Sequence, residues 1–256
     1  MNHTSEYEFT IIVPVYNERD NIDRLEEAFA HYLPAASRRS CVLFINDGST
    51  DGSLELLQRI CARNPHFYYL SFVRNAGLSA ALKAGIDHAE SPLVGYIDAD
   101  LQTHPEDFER LLPLAVAGVN IAELVRMPVE HQLATGIRAG RKDSLFKRFQ
   151  SKFANSFRRM MTHDGATDTG CPLKVMQTPA AKRLPLFKGM HRFLPALILL
   201  QEGATYAETP VPHYPRTAGA SKFHLWNRLI SPLMDCFAYR WMRKRAINYR
   251  VGPTNL

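Results

Sequence analysis

Residues 93–102 read Leu-Val-Gly-Tyr-Ile-Asp-Ala-Asp-Leu-Gln, and the fold is decided here. Leu93 to Ile97 is a short apolar run of strand length that stops at the carboxylate of Asp98. Two earlier segments repeat the pattern. Phe9 to Val15 is apolar and gives way, after Pro14, to the polar turn Asn17-Glu18; Cys41 to Ile45 runs into Asn46-Asp47-Gly48-Ser49. Phe67 to Val73 reads as a third strand, Leu93 to Ile97 as a fourth and Val119 to Val125 as a fifth. Between them Asn21 to Tyr32, a stretch capped by Asp51 and continuing to Arg63, Gly77 to His88, and Pro105 to Ala117 read as helices, with Pro105 in a first turn that tolerates it. This alternation predicts an α/β chain with a mostly parallel sheet flanked by helices. In such sheets ligands collect beyond the carboxyl ends of the strands, so Asn17-Glu18, Asp47 and Asp98 to Asp100 converge on one crevice.

The whole chain is consistent with that frame. Its 256 residues are 46% hydrophobic and 22% charged, enough for a substantial core, without repeats or low-complexity tracts. Met1 to Glu8 is polar and lacks the basic start and apolar centre of a signal peptide. The longest apolar stretch, Phe193 to Leu200, falls short of the ~20 residues that span a bilayer. A cytoplasmic chain without a membrane span is expected. Cys41, Cys61, Cys171 and Cys236 are scattered, which favours reduced thiols over a disulfide or zinc framework. The ten histidines show no zinc spacing, and His104 and His191 are the two that border the predicted crevice. A net charge of +6 favours an anionic partner: a nucleotide, a phospholipid head group or nucleic acid. No nucleic-acid motif accompanies the charge, so no specific nucleic-acid partner is expected.

The basic residues are concentrated in the second half. Arg138 to Arg159 carries eight of them (Arg138, Arg141, Lys142, Lys147, Arg148, Lys152, Arg158, Arg159) against the single acid Asp143. Leu145, Phe146, Phe149, Phe153, Phe157, Met160 and Met161 recur there at spacings of three and four, which predicts a basic amphipathic helix. A second, Trp226 to about Ile247, ends in Arg240, Arg243, Lys244 and Arg245. Such helices suit an anionic bilayer surface, and equally suit packing on a core. Ala204 to Val211 reads as a strand, and His213 to Lys222 as a loop.

Asp98 and Asp100 carry the chemistry. Two carboxylates one residue apart at a strand exit can hold Mg²⁺ or Mn²⁺ and bridge it to a diphosphate, and Gln102 is near enough to add an oxygen. Alone, Asp-x-Asp reads equally well as a loop or helix cap. It is accompanied, in order, by Val13-Pro14-Val15-Tyr16-Asn17-Glu18, Asn46-Asp47-Gly48-Ser49-Thr50-Asp51-Gly52-Ser53, Arg74-Asn75-Ala76-Gly77 with Ala80 and Gly85, Asp98-Ala99-Asp100-Leu101-Gln102 with Pro105-Glu106, Arg138 with Arg141, Asp168 with Gly170, and Arg216 through Gly219-Ala220-Ser221-Lys222. This series, over about residues 9–223, resembles the family 2 glycosyltransferases, in the branch of dolichyl-phosphate mannose synthase and the bacterial polyprenyl-phosphate sugar transferases.

The resemblance implies a GT-A-type, Rossmann-like catalytic domain over 1–225, with a nucleotide-sugar half (1–125) and an acceptor half (126–225), followed by a basic helix and tail (226–256). It implies an inverting, metal-dependent transfer of a sugar from a UDP- or GDP-sugar to undecaprenyl or dolichyl phosphate. Pro14, Tyr16, Asn17 and Glu18 would line the base and ribose, and Asp47, Gly48, Ser49, Asn75 and Gly77 would complete that wall. Asp98, Ala99, Asp100 and Gln102 would surround the Mg²⁺ or Mn²⁺ and the diphosphate, with Asp98, Asp100 and Gln102 as metal ligands. Arg216 and Lys222 would close on the phosphates, and Arg138, Arg141 and Ser144 would take the acceptor phosphate. Asp168 is the candidate base should the acceptor be a hydroxyl, with structural hydrogen bonding as its other reading. Peripheral attachment to an anionic membrane surface at the cytoplasmic face would replace the membrane-spanning helices of many relatives, and a homo-oligomer is compatible with the pattern. The chain departs from many relatives at Asn46, where they carry Asp, and at Thr169-Gly170-Cys171-Pro172-Leu173-Lys174, where a Ser-Gly-Phe-Arg-like element is common and Lys174 stands for the arginine. The rival readings are a family 2 enzyme acting on a soluble or cell-surface glycan, a nucleotidyltransferase, and a non-catalytic membrane or nucleic-acid binding module.

Overall fold

The computed structural model describes residues 3–115, 131–138, 156–215 and 225–247, with side chains from 233 onward in the last of these. Seven strands form one sheet in the order β3-β2-β1-β4-β6-β5-β7. β1 (Phe9–Val15), β2 (Ser40–Asn46), β3 (Phe67–Ser71) and β4 (Leu93–Tyr96) run parallel, alternating with α1 (Ile22–Tyr32), α2 (Ser53–Arg63) and α3 (Leu78–His88). A 3-10 helix, Pro105–Arg110, and the short α4 (Leu112–Ala115) follow β4. β5 (Leu133–Arg138) leads to helix α5 (residues 156–162), β6 (Lys174–Gln177), α6 (Thr178–Lys182), α7 (Leu194–Ile198), β7 (Tyr206–Val211) and α8 (Leu225–Arg243). β6 is antiparallel to both β4 and β5, while β5 and β7 pair in parallel. The sheet is therefore mixed but mostly parallel.

Central parallel strands are covered on both faces and read as continuous apolar runs. β2 is buried at every position and β1 at all but Pro14. Alternate residues feed two cores. Phe9, Ile11, Val13, Phe44 and Phe108 fill the layer under α1 and α2, while Ile12, Leu43, Ile45, Leu82, Ile86 and Met176 fill the layer under α3. Phe29, Phe44 and Phe67 meet edge to face, a geometry aromatic rings prefer. Pro14 lies where its missing N–H costs nothing: β4 pairs with β1 only from Phe9↔Leu93 to Ile12↔Tyr96, and residue 14 faces that same side.

The first four strands match their sequence expectations to within two residues. Val119 to Val125 lies outside the described residues. The helix expected from Arg138 does not begin there, because Arg138 is the last residue of β5, hydrogen-bonded in the sheet beside Val211. Arg158, expected on an exposed basic face, is instead buried on α5, its Nη1 donating to Asp164 Oδ2 at 2.6 Å and its Nη2 to the Ala166 carbonyl. The Trp226 to Ile247 helix is present as α8, though its buried face is Asp235, Cys236 and Tyr239, and Leu233, Met234, Phe237 and Trp241 point outward. Among the described residues no helix is long and apolar enough to cross a membrane, and the four cysteines are free thiols.

Gly85 shows how closely α3 lies on the sheet. A Cβ there would stand 2.6 Å from Ile12 Cγ2. Gly85→Ala is expected to lower unfolding stability by about 1–3 kcal/mol through overpacking, read by urea denaturation.

Candidate active site

The loops after β1 and β2 are laced together. Asn17, at φ 51°, donates its N–H to Ser49 Oγ and accepts from Thr50 N through Oδ1. Glu18 N donates to Ser53 Oγ, and Asp51 accepts from Arg19 N, Ser53 N and Ser53 Oγ. The N-cap of α2 is Gly52, not Asp51 as expected; Asp51, one residue earlier, instead turns onto Ser53 and ties the two loops. Tyr16 stands partly exposed beyond the end of β1, with Pro14 half-buried beneath it.

Asp47, expected to contact the base or ribose, accepts three hydrogen bonds from the loop that opens α3. Its Oδ1 accepts from Ala76 N at 2.7 Å, and its Oδ2 from Gly77 N and Asn75 Nδ2, both at 2.9 Å. The carboxylate anchors the loop that opens α3. Gly48 (φ +65°) follows it with no room for a side chain, since a Cβ would lie 2.4 Å from the Arg74 carbonyl carbon. Gly77 also has positive φ (+94°) but faces open space, so conformation rather than crowding selects it. Behind this loop Ser79 Oγ pairs with His191 Nδ1 at 2.8 Å and accepts from Gly189 N. Burial pushes His191 down to about 3, so it is neutral there.

Asp98 and Asp100 sit at the exit of β4. Tyr96 Oη donates to Asp98 Oδ1 at 2.6 Å, and Asp100 Oδ1 accepts from Gln102 N at 3.1 Å. Leu101 between them holds φ +54°, a strained value for a branched side chain and a mark of a functional loop. Burial, then the neighbouring Asp100 carboxylate, push Asp98 up to about 6. Gln102 bonds to the segment after β7: its side-chain Nε2 donates to the Tyr214 carbonyl at 3.4 Å, and its backbone carbonyl accepts from Tyr214 N. The Tyr214 ring lies edge-on to His104, centroids 4.2 Å apart, which fastens the exit of β7 to the Asp98–Asp100 loop. Among the described residues no group of three His, Cys, Asp or Glu side chains gathers to hold a metal. Two carboxylates at the mouth of a crevice nonetheless suit a hard divalent ion that takes its remaining ligands from water and diphosphate, as Mg²⁺ and Mn²⁺ do.

At the end of β5 Arg138 and Asp168 form a clamp. Arg138 Nε and Nη2 donate to the two oxygens of Asp168, each at 2.8 Å, and Arg138 N and Gly170 N donate to the same carboxylate. A Cβ on Gly170 would lie 2.7 Å from Arg138 Nη2, so the glycine makes space for the guanidinium. Burial alone would raise Asp168, but the Arg138 guanidinium holds it below the usual carboxylate range. Arg138 Nη1 has no hydrogen bond among the described residues. Lys174 is buried beside this clamp. Arg141, Ser144, Arg216, Gly219 and Lys222 lie outside the described residues. Tyr96 and Tyr214 are contributors that sequence reasoning missed. Tyr96 could have been noticed as a hydroxyl inside an apolar run two residues before Asp98; nothing local marks Tyr214.

Asp98→Asn tests the electrostatics. Because the folded value of Asp98 is raised, its charge opposes folding above about pH 6, and that cost fades as pH falls toward 4. The variant is expected to be more stable than wild type by about 1–2 kcal/mol near pH 7 in metal-free buffer, and equal to it near pH 4. Thermal melts across that range check the sign.

Comparison with known proteins places this geometry in a family. Residues 10–183 match the model for glycosyl transferase family 2. The chain is 30% identical over 249 residues to a dodecaprenyl-phosphate galacturonate synthase of Rhizobium johnstonii, covering 96% of this chain and 69% of that protein. It is 31% identical over 228 residues to an undecaprenyl-phosphate 4-deoxy-4-formamido-L-arabinose transferase of Salmonella choleraesuis, covering 88% and 65%. The chain thus spans about two thirds of the length of these relatives. Among solved structures, a mannosyltransferase of Pyrobaculum calidifontis in complex with GDP-Man and Mn²⁺ superposes with a TM-score of 0.62 at 20% identity, over 91% of this chain and 63% of that one, a likeness of GT-A-type fold. With the family model matching residues 10–183, across the strand-exit carboxylates and the laced loops, the chain belongs to glycosyl transferase family 2.

Proposed function

We propose that this glycosyltransferase moves a sugar from a nucleotide-diphosphate donor to a polyprenyl phosphate, with inversion, at a membrane surface. The observation that carries the acceptor class is the Arg138–Asp168 clamp. A hydroxyl acceptor needs a carboxylate base within reach. Asp168, the candidate for that role, has both oxygens occupied by Arg138 and Gly170 and is held below the usual carboxylate range by Arg138 despite its burial. A phosphate acceptor needs no base, since it is already ionised near neutral pH. What it needs is an oriented cation, and a guanidinium held by two parallel hydrogen bonds is one. The polyprenyl-phosphate relatives support the same reading.

In this reading the donor half is residues 1–125, the acceptor half 126–225, and 226–256 an appended helix and tail. Tyr16 offers a stacking face to the base, with Pro14, Asn17, Glu18 and Ser49 beside it. Asp47 and Gly48 act at one remove, by fixing Asn75 to Gly77. Asp98 and Asp100 would hold Mg²⁺ or Mn²⁺, with Ala99 between them and Gln102 as a further oxygen ligand. When bound, the ion neutralises charge on the departing diphosphate. Arg138 aligns the acceptor phosphate for in-line attack on the anomeric carbon, assisted by Arg141 and Ser144. Arg216 and Lys222 balance the leaving phosphates.

The test is release of nucleoside diphosphate from UDP- and GDP-sugars, with Mn²⁺ and undecaprenyl phosphate in detergent. Asp100→Ala is expected to lower turnover about 10²–10³-fold. Arg138→Ala is expected to lower kcat/KM for the lipid about 10–100-fold while donor affinity is retained. Donor turnover indifferent to the lipid would move the acceptor to a soluble glycan. Pyrophosphate as the released product would mark a nucleotidyltransferase.

Attachment to the membrane would use α8. Leu233, Met234, Phe237 and Trp241 form an outward apolar stripe, Arg240, Arg243, Lys244 and Arg245 are exposed beside and beyond it, and the Arg245 guanidinium stacks 5.1 Å from the Trp241 ring. Apolar side chains flanked by cations suit an anionic bilayer surface at the cytoplasmic face. Phe237→Asp with Trp241→Asp is expected to weaken sedimentation with phosphatidylglycerol vesicles about tenfold or more, and salt is expected to weaken wild-type binding. Unchanged sedimentation would remove α8 from this role.

A further inference from the structure

Lys174 is 1% exposed, at the first position of β6. A lysine is rarely this deep unless counter-charges meet it. The sheet register sets it opposite Tyr96 on β4 and Thr135 on β5. Its Nζ donates to the Cys171 carbonyl and lies 5.9 Å from the centre of the Tyr96 ring, whose hydroxyl holds Asp98. Burial pushes the Lys174 ammonium down, Asp168 and Asp98 attract it, and Arg138 repels it. Lys174 therefore stands between the donor-side carboxylate and the acceptor-side clamp, and the transfer reaction as derived above gives it no part.

We propose that Lys174 is a positioning residue whose buried ammonium is the internal counter-charge of Asp98 and Asp168, fixing their separation and tempering the grip of the site on its divalent cation. The inference rests on the reading of Asp98 and Asp100 as cation ligands. Asp98, Asp100 and Asp168 set against Arg138 and Lys174 leave one net negative charge for the ion to meet. Without Lys174 there would be two. The ion would then bind more tightly and stand in for the missing ammonium.

The experiment measures Mn²⁺ affinity by electron paramagnetic resonance, and the Mn²⁺-induced rise in melting temperature, on the full chain near pH 8. Wild type is compared with Lys174→Gln, which can keep the hydrogen bond to Cys171, with Lys174→Met, and with Lys174→Arg, which keeps the charge. The neutral variants are expected to bind Mn²⁺ about tenfold more tightly and to gain more in melting temperature from it. Lys174→Arg is expected to stay within about twofold of wild type, since the charge remains. Equal affinity in folded neutral variants would overturn the proposal while leaving the cation site standing. Neutral variants that stay unfolded even with Mn²⁺ would also overturn it, by assigning Lys174 to the fold alone. If wild type takes up no Mn²⁺, the cation reading fails and this inference fails with it.

Discussion

Two carboxylates side by side at the exit of a buried strand repel each other and resist leaving water, and much of the surrounding architecture answers that constraint. Tyr96 donates to Asp98 from within the strand, and the backbone of Gln102 donates to Asp100. Leu101 accepts a left-handed backbone to turn the loop. Arg138 and Lys174 approach from the neighbouring β5 and β6 and lower the energy of the Asp98 charge. These groups reduce the cost without cancelling it, and Asp98 remains poised near 6. A site left with residual negative charge is one that a divalent ion and a diphosphate can complete together.

Asp47 and Asp168 carry a second theme, carboxylates that organise the protein beside the strand exits. Asp47 gathers three donors from the loop before α3, and Asp168 gathers a guanidinium and two backbone N–H groups. Such acceptors hold neighbouring groups in fixed geometry.

The stretch from β1 to Asp100 was legible in the sequence because its signals are local. Apolar runs such as Phe9 to Val15 and Cys41 to Ile45 belong to strands buried on both faces, and each is followed by its functional turn. The acceptor side was harder to read. Leu133–Arg138 contains a glycine and ends in an arginine, and Lys174–Gln177 begins with a lysine, so neither looks like an interior strand. What makes them strands is pairing with distant partners, β7 and β4, and what makes the charges tolerable is each other. Periodicity also misplaced Arg158, which lies at helical spacing on a basic face but turns inward to reach Asp164. The ordered motifs, by contrast, carried the family correctly, because their sequence along the chain is information that no single segment holds.

The reversed direction of β6 has a consequence for how such a chain can diversify. β5 ends at Arg138 on the same edge of the sheet as the exit of β4, and because β6 runs the other way it begins, at Lys174, on that edge too. Both ends of the connection between them, Arg138 and Lys174, are therefore anchored in the sheet at the end where β4 delivers Asp98. Sequence added or exchanged between these two anchors leaves the strand register beneath untouched.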